Sequence, residues 1–233
     1  VYPGRFIIQR FLSKLLLLPW PSLRNGRLFN FERSFYMRMY VAVVSVQPPV
    51  VLLSPGFIRA SAEVGSAIAN AYASDIDGAR LVLRSSWIEP LLRKQFPSHG
   101  DPWTRVQCEA ERAAAAAFAS VPHIFDADGA IDRHWMYGMD VVVEASGGVR
   151  ILELNSGPDM TVGTPAQDKV ISESVSHYVY MVAQVRERAA KGQKPWPLHH
   201  TGPFKLVLKD YSTEAPALPS CRQPHGDTPL GAA

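Results

Sequence analysis

The sequence predicts an α+β domain, an antiparallel sheet with packed helices, and three features carry that prediction. The run SFYMRMYVAVVSV (34–46) is followed at once by PPVVLLSPGFIRAS (48–61), and the Pro-Pro between them turns the chain back as an antiparallel meander would. A second pair of runs, MDVVVEA and VRILELN, faces across Ser146-Gly147-Gly148 as a hairpin. Two long stretches, 102–120 and 165–190, carry helical composition or period. With 233 residues the chain has enough material for one large or two small cores.

In chain order, RFIIQRFL (5–12) is a short β-branched and aromatic run, closed by the prolines of LLLLPWP. Residues 19–33, PWPSLRNGRLFNFER, read as a loop or insertion with a turn at Asn25-Gly26. Strands at 34–46 and 48–61 follow. Residues 62–79 read as helical or irregular and end at Asp77-Gly78. The alanine-rich middle of 102–120 favours helix by intrinsic propensity. The hairpin occupies 133–155. In the next helix Val170, Ile171, Val175, Val179, Val182 and Val185 mark the apolar face. Beyond Lys191 the chain turns rich in Pro, His and Gly, with one strand at FKLVLKD, and its last twenty or so residues have a disordered composition.

Composition is that of a globular protein, 47% hydrophobic and 19% charged. A net charge of +3, without a Lys/Arg cluster interleaved with aromatics, argues against nucleic acid as a partner. No apolar run reaches the length needed to cross a bilayer, so no membrane partner is expected. FLSKLLLLPW is too short and too interrupted by Lys14 to be a signal peptide. Cys108 and Cys221 are far apart and lack metal spacing, so the expectation is two free thiols in a reducing compartment.

Chemistry concentrates in RILELNSGPDM (150–160). Glu153 and Asn155, two apart on a strand, project to one face, with Leu152 and Leu154 on the other. Across the hairpin Asp140 is expected to pair near position 154 or 155, which gathers three oxygen donors at one end of the sheet. Asp, Glu and Asn suit Mg²⁺ with a nucleotide and suit zinc poorly. The alternative is purely structural: Asp140 caps a turn and Glu153 pairs with an arginine.

YGMDVVVEASGGVRILELNSGPDM resembles the C-terminal hairpin of the ATP-grasp superfamily, and most closely that of the tubulin–tyrosine ligase-like family. That family carries a Gly-x-Asp strand, a turn and an LLEVN strand followed by a small residue and Pro. FIIQRFLSKLLLL, then RSFYMRMYVAVVSV and GFIRAS, are similar to three further blocks of the family in the same order. The fold so implied is ATP-grasp-like, with central strands in 1–60, a C-terminal domain in 61–190 and a Pro-rich, largely irregular tail in 191–233.

The resemblance implies roles. Gln9 would lie where the adenine is received; Arg38 and Arg59 would reach the phosphates and an acyl-phosphate intermediate; Asp140, Glu153 and Asn155 would be the magnesium ligands. The implied activity is ATP- and Mg²⁺-dependent ligation of tyrosine, glutamate or glycine to tubulin or a similar protein with an acidic tail. The implied location is cytoplasmic, with or without microtubule association. Ser34 and Tyr36 depart from the pattern, standing where the family has Lys and Asp that contact nucleotide. The chain starts at Val1 rather than Met and reads as a fragment that begins after the family's phosphate-binding lysines. A non-catalytic ATP-grasp-like module that binds tubulin or microtubules is the alternative, and a small-peptide ligase of the D-alanine type a third. His134, Trp135, His199 and His200 are candidate liners of an acceptor site.

Overall fold

A computed structural model describes residues 14–24, 27–60, 82–83, 85–121, 133–158, 160, 165–209 and 221. Gln9, residues 62–79 and, apart from Cys221, the chain after residue 209 lie outside the described residues, as does the turn at Asn25-Gly26.

The described strands form one seven-stranded sheet. β1 (Leu17–Arg24) pairs antiparallel with the first part of β2 (Arg27–Val46). The remainder of β2 is flanked by β3 (Pro49–Ala60) and β5 (Trp135–Val143), both antiparallel. β4 (Val82–Leu83) and β7 (Lys205–Lys209) pair with the two ends of β3, and β6 (Val149–Asn155) pairs with β5 at the sheet edge.

Residues 19–24 and 27–33, expected as a loop or insertion, lie in two strands. Arg24 opposes Arg27, so a two-residue connection containing Asn-Gly separates them, the spacing of a tight hairpin. Pro19 and Pro21 are tolerated because β1 pairs with β2 alone. Two residues apart, they share one phase of the ladder and can turn their missing donors to the open edge.

Helices cover both faces. α1 (Ser85–Gln95) and α2 (Pro102–Ala119) pack on one face, where Ile88, Leu92, Val106, Ala110 and Phe118 meet Met37, Met39, Val41 and Met139. The small side chains of the alanine run admit the helix close to the sheet: Ala110 and Ala114 are fully buried. α1 went unpredicted because Pro90 falls inside it; that proline is exposed, and burial of Ile88 and Leu92, one turn apart, overrides its propensity. α3 (Pro165–Ala190) lies on the opposite face, where Ile171, Met181, Val182 and Val185 cover Tyr40, Ala42, Leu52 and Phe57. Val179, expected on that face, is 59% exposed, because Met181 takes the core position.

After Lys191 the chain is irregular as far as Phe204, packs on α3, and then forms the strand expected at FKLVLKD. Gln184 of α3 donates to the His200 carbonyl and accepts from the His199 N–H, Phe204 is buried, and β7 completes the sheet. Cys108 and Cys221, expected as free thiols, are joined by a disulfide with Cα atoms 5.6 Å apart. Sequence separation of 113 residues hid a proximity that only the fold creates. Among the described residues no helix is long and apolar enough to cross a membrane.

Candidate functional site

At one end of the α3-side face the apolar pattern gives way to polar side chains. On β2, alternate residues Ser34, Tyr36 and Arg38 share the phase of Tyr40 and Ala42, which pack beneath α3. All three are buried. Arg38 opposes Asp140 on β5, and Asp140 opposes Glu153 on β6, so one row crosses three strands.

Two irregularities of register put the remaining groups on this face. Between the pairs Arg38–Phe57 and Tyr40–Ser54, Pro55 and Gly56 of β3 stand opposite Met39 alone. Leu52 and Ser54 face α3 before this bulge, and Phe57 faces it after, so Arg59 joins Tyr36 and Arg38 instead of the α2-side core. Gly56 adopts φ +63°, and a Cβ there would lie 1.7 Å from the Arg38 carbonyl oxygen. Only glycine permits the bulge. On β6, Leu152 is the extra residue between the pairs Val141–Ile151 and Asp140–Glu153. Ile151 packs on the α2-side core, and beyond the bulge Glu153 and Asn155 face the same way as Asp140 and Gly138.

Arg38 and Asp140 form a buried two-pronged ion pair: Nε donates to Oδ1 at 2.5 Å and Nη2 to Oδ2 at 2.8 Å. This planar fork is the strongest form of guanidinium–carboxylate contact. Gly138 makes room for it, since a Cβ there would sit 3.3 Å from Arg38 Cδ and Nη1 and 3.2 Å from Pro158. Burial, opposed by Arg38 and assisted by the neighbouring Glu153 carboxylate, pushes the Asp140 carboxyl above its usual value. For Arg38 the carboxylate outweighs burial, and the guanidinium is held above its ordinary value.

Arg59 Nη1 donates to the Tyr36 hydroxyl at 3.3 Å, and its guanidinium lies 5.3 Å from the Phe57 ring centroid. Burial pushes the Tyr36 phenol up, against the pull of Arg59. Tyr36, the departure noted in the sequence, is therefore a partner of Arg59. The Gly-x-Asp pattern was visible in the sequence, but the room that Gly138 leaves for Arg38 and this tyrosine–arginine contact were not. The i, i+2 spacing of Gly138 and Asp140 was the available signal for the first, and nothing local signalled the second.

Strand β6 is an exposed edge. Leu152 and Leu154 are 38% and 40% exposed, and Glu153 is exposed too. Asn155 Nδ2 donates to Glu153 Oε1 at 2.9 Å, so the two project together as expected. Pairing of Asp140 with Glu153, rather than with 154 or 155, follows from a turn centred near Ser146 and the bulge at Leu152. His134, Trp135, His199 and His200 are engaged elsewhere. His134 faces Tyr178, Trp135 Nε1 donates to the Ser156 carbonyl, His199 and His200 bind Gln184 through their backbones, and the His200 ring meets His177.

The donor chemistry fits a hard divalent cation: two adjacent carboxylates and an amide on one side of one sheet end. Among the described residues no group of three or more His, Cys, Asp or Glu gathers for a metal, and the third donor here is the amide of Asn155. Both Asp140 oxygens accept from Arg38, so a cation there would use their remaining lone pairs beside a guanidinium charge.

No protein-family model and no curated protein matches the chain. Among solved structures it is similar to the C-terminal domain of K. lactis Pby1, described as an ATP-grasp enzyme interacting with the mRNA decapping enzyme Dcp2. The TM-score is 0.51 at 18% identity, over 85% of this chain and 51% of that one. The chain thus spans about half the length of the structure it matches. At such identity the likeness concerns architecture. The antiparallel sheet with helices on both faces is an α+β, ATP-grasp-like fold.

Proposed function

We propose that this chain supplies the phosphate-facing sheet of an ATP- and Mg²⁺-dependent carboxylate–amine ligase. One observation carries the reading: two bulges bring Arg59, Glu153 and Asn155 to the face at the end of the sheet that holds Arg38 and Asp140. Asp140, Glu153 and Asn155 would hold the cation, and the chemistry it supplies when bound is charge neutralisation and orientation of polyphosphate oxygens. Arg38 and Arg59 present fork-shaped charge where negative charge collects on a transferring phosphoryl group. Tyr36 and the Phe57 ring hold Arg59 in place for that contact. In the reaction the acceptor carboxylate takes the phosphoryl group from ATP, and an amine then displaces phosphate from the acyl-phosphate.

The substrates follow from the sequence resemblance: a free amino acid (tyrosine, glutamate or glycine) as amine donor and tubulin or another acidic-tailed protein as acceptor. Cytoplasmic location and microtubule association belong to that part of the proposal.

A second reading, a non-catalytic module that binds tubulin or microtubules, is favoured by Ser34 and Tyr36. Both are buried at the site in place of Lys and Asp, and Tyr36 is occupied by Arg59.

Glu153→Gln separates the two. Glu153 is exposed, so the substitution should change stability by no more than about 0.5 kcal/mol. Binding of a non-hydrolysable ATP analogue with and without Mg²⁺ should lose its Mg²⁺-dependent part in the variant, along with ligation of labelled amino acid to an acidic-tail peptide. Unchanged Mg²⁺ dependence removes the ligand assignment; absence of nucleotide binding by the parent protein favours the module.

A further inference from the structure

The Arg38–Asp140 fork does more than satisfy a buried charge, because its positive charge and its two donors oppose a cation at the same two oxygens. We infer that Arg38 is a specificity-determining lock: it withholds Asp140 from free divalent cations and surrenders it only when a polyphosphate offers the guanidinium another partner. The site then selects the cation–polyphosphate pair over the cation alone. This inference rests on the ligand set proposed above.

Three features of the geometry support it. Arg38 uses two donors, Nε and Nη2, on the two oxygens of Asp140, so a cation at either oxygen meets the guanidinium charge and a single remaining lone pair. Glu153, the other carboxylate of the row, is exposed and hydrogen-bonded to Asn155, so it meets solvent cations while Asp140 does not. A single exposed carboxylate with an amide is a weak divalent site, and a second carboxylate is what Mg²⁺ or Mn²⁺ needs. Finally, the guanidinium lies over Gly138, where the missing β-carbon leaves it room. Released from Asp140, it is positioned on the same face as Arg59 to take phosphate oxygens in the bidentate manner it now uses on carboxylate.

An unusual consequence follows: removing a positive charge for the sake of cation binding is ordinary, but here the charge also couples two ligands. By linkage, polyphosphate and cation each raise the affinity of the other by one factor, and ordinary couplings are roughly 5- to 150-fold.

The test uses Mn²⁺ alone, followed by electron paramagnetic resonance of the free ion, with the nucleotide-free protein. Arg38→Gln should bind Mn²⁺ more tightly than the parent by roughly 5- to 150-fold. Arg38→Lys, which keeps the charge but cannot form the fork, should fall between, and it serves if the glutamine variant fails to fold. Adding Glu153→Gln to Arg38→Gln should return the affinity to the parent value. A folded Arg38 variant that binds Mn²⁺ no better than the parent overturns the lock. If in that case a fluorescent ATP analogue still requires Mn²⁺ and Glu153 in the parent protein, the ligand set stands and the lock alone falls. If that requirement is also missing, both fall together.

Discussion

At the scale of single residues, the site is defined by what Asp140 and Glu153 do differently. Asp140 is buried and forked to Arg38, while its cross-strand neighbour Glu153 is exposed. Truncating one member of a buried ion pair leaves the other charge without compensation, which typically costs about 3–5 kcal/mol. Asp140→Ala should therefore lower stability by roughly that amount in chemical denaturation, whereas Glu153→Gln should leave the midpoint nearly unchanged. Equal losses in the two variants would mean that the observed burial does not govern the energetics of this row. Glu153 and Asn155 were recognisable from their spacing alone. The partner of Asp140 was not, because Arg38 lies 102 positions away and any of several arginines could have met that carboxylate.

At the scale of elements, the bulges decide which side chains share the site. Without Leu152 as an extra residue, Glu153 would fall opposite Met139 and face α2, away from Asp140. The Gly56 bulge does the same for Arg59. Gly56→Ala combines a left-handed backbone conformation with overlap onto the Arg38 carbonyl. We expect a loss of about 2–4 kcal/mol in thermal or denaturant unfolding, together with loss of the Tyr36–Arg59 contact, seen as a changed Tyr36 ring signal by NMR. The start of α2 gives an independent check. Asp101 accepts from the Thr104 N–H at 3.3 Å and from its hydroxyl at 2.6 Å. The Thr104 hydroxyl is the main reason that the Asp101 carboxyl lies below its usual value. A depressed acid contributes stability above its unfolded value, near pH 4, and loses it as pH falls through the lower folded value. Asp101→Ala should cost about 1 kcal/mol at neutral pH, and the difference from the parent should vanish in acid. A difference that persists at low pH would assign the effect to something other than the cap.

For the whole molecule, the disulfide is the feature that the local sequence concealed. Cys108 sits in α2, and Cys221 lies beyond β7, so the bond fastens Cys221 to the helical layer. Closing a long loop restricts the unfolded chain, and disulfides of this kind commonly contribute about 2–4 kcal/mol. Reduction should lower stability by that order, and thiol labelling of the folded protein should find no reactive cysteine until reductant is added. Because reducing compartments keep such bonds open, the same labelling applied to protein taken directly from cells tests the cytoplasmic location tied to the tubulin proposal. Two labelled cysteines would agree with that location, and none would speak against it.

The sequence by itself determined the antiparallel strands, the two long helices, the hairpin and the residue types of a hard-cation and phosphate site. These depend on composition, period and turn residues within a few positions of one another. Only the tertiary structure decided which face each polar residue takes, that Arg38 holds Asp140, that Tyr36 holds Arg59 and that the cysteines meet. Strand side chains alternate with a period of two, so a single inserted residue reverses a face, and long-range partners are chosen by packing of the whole sheet.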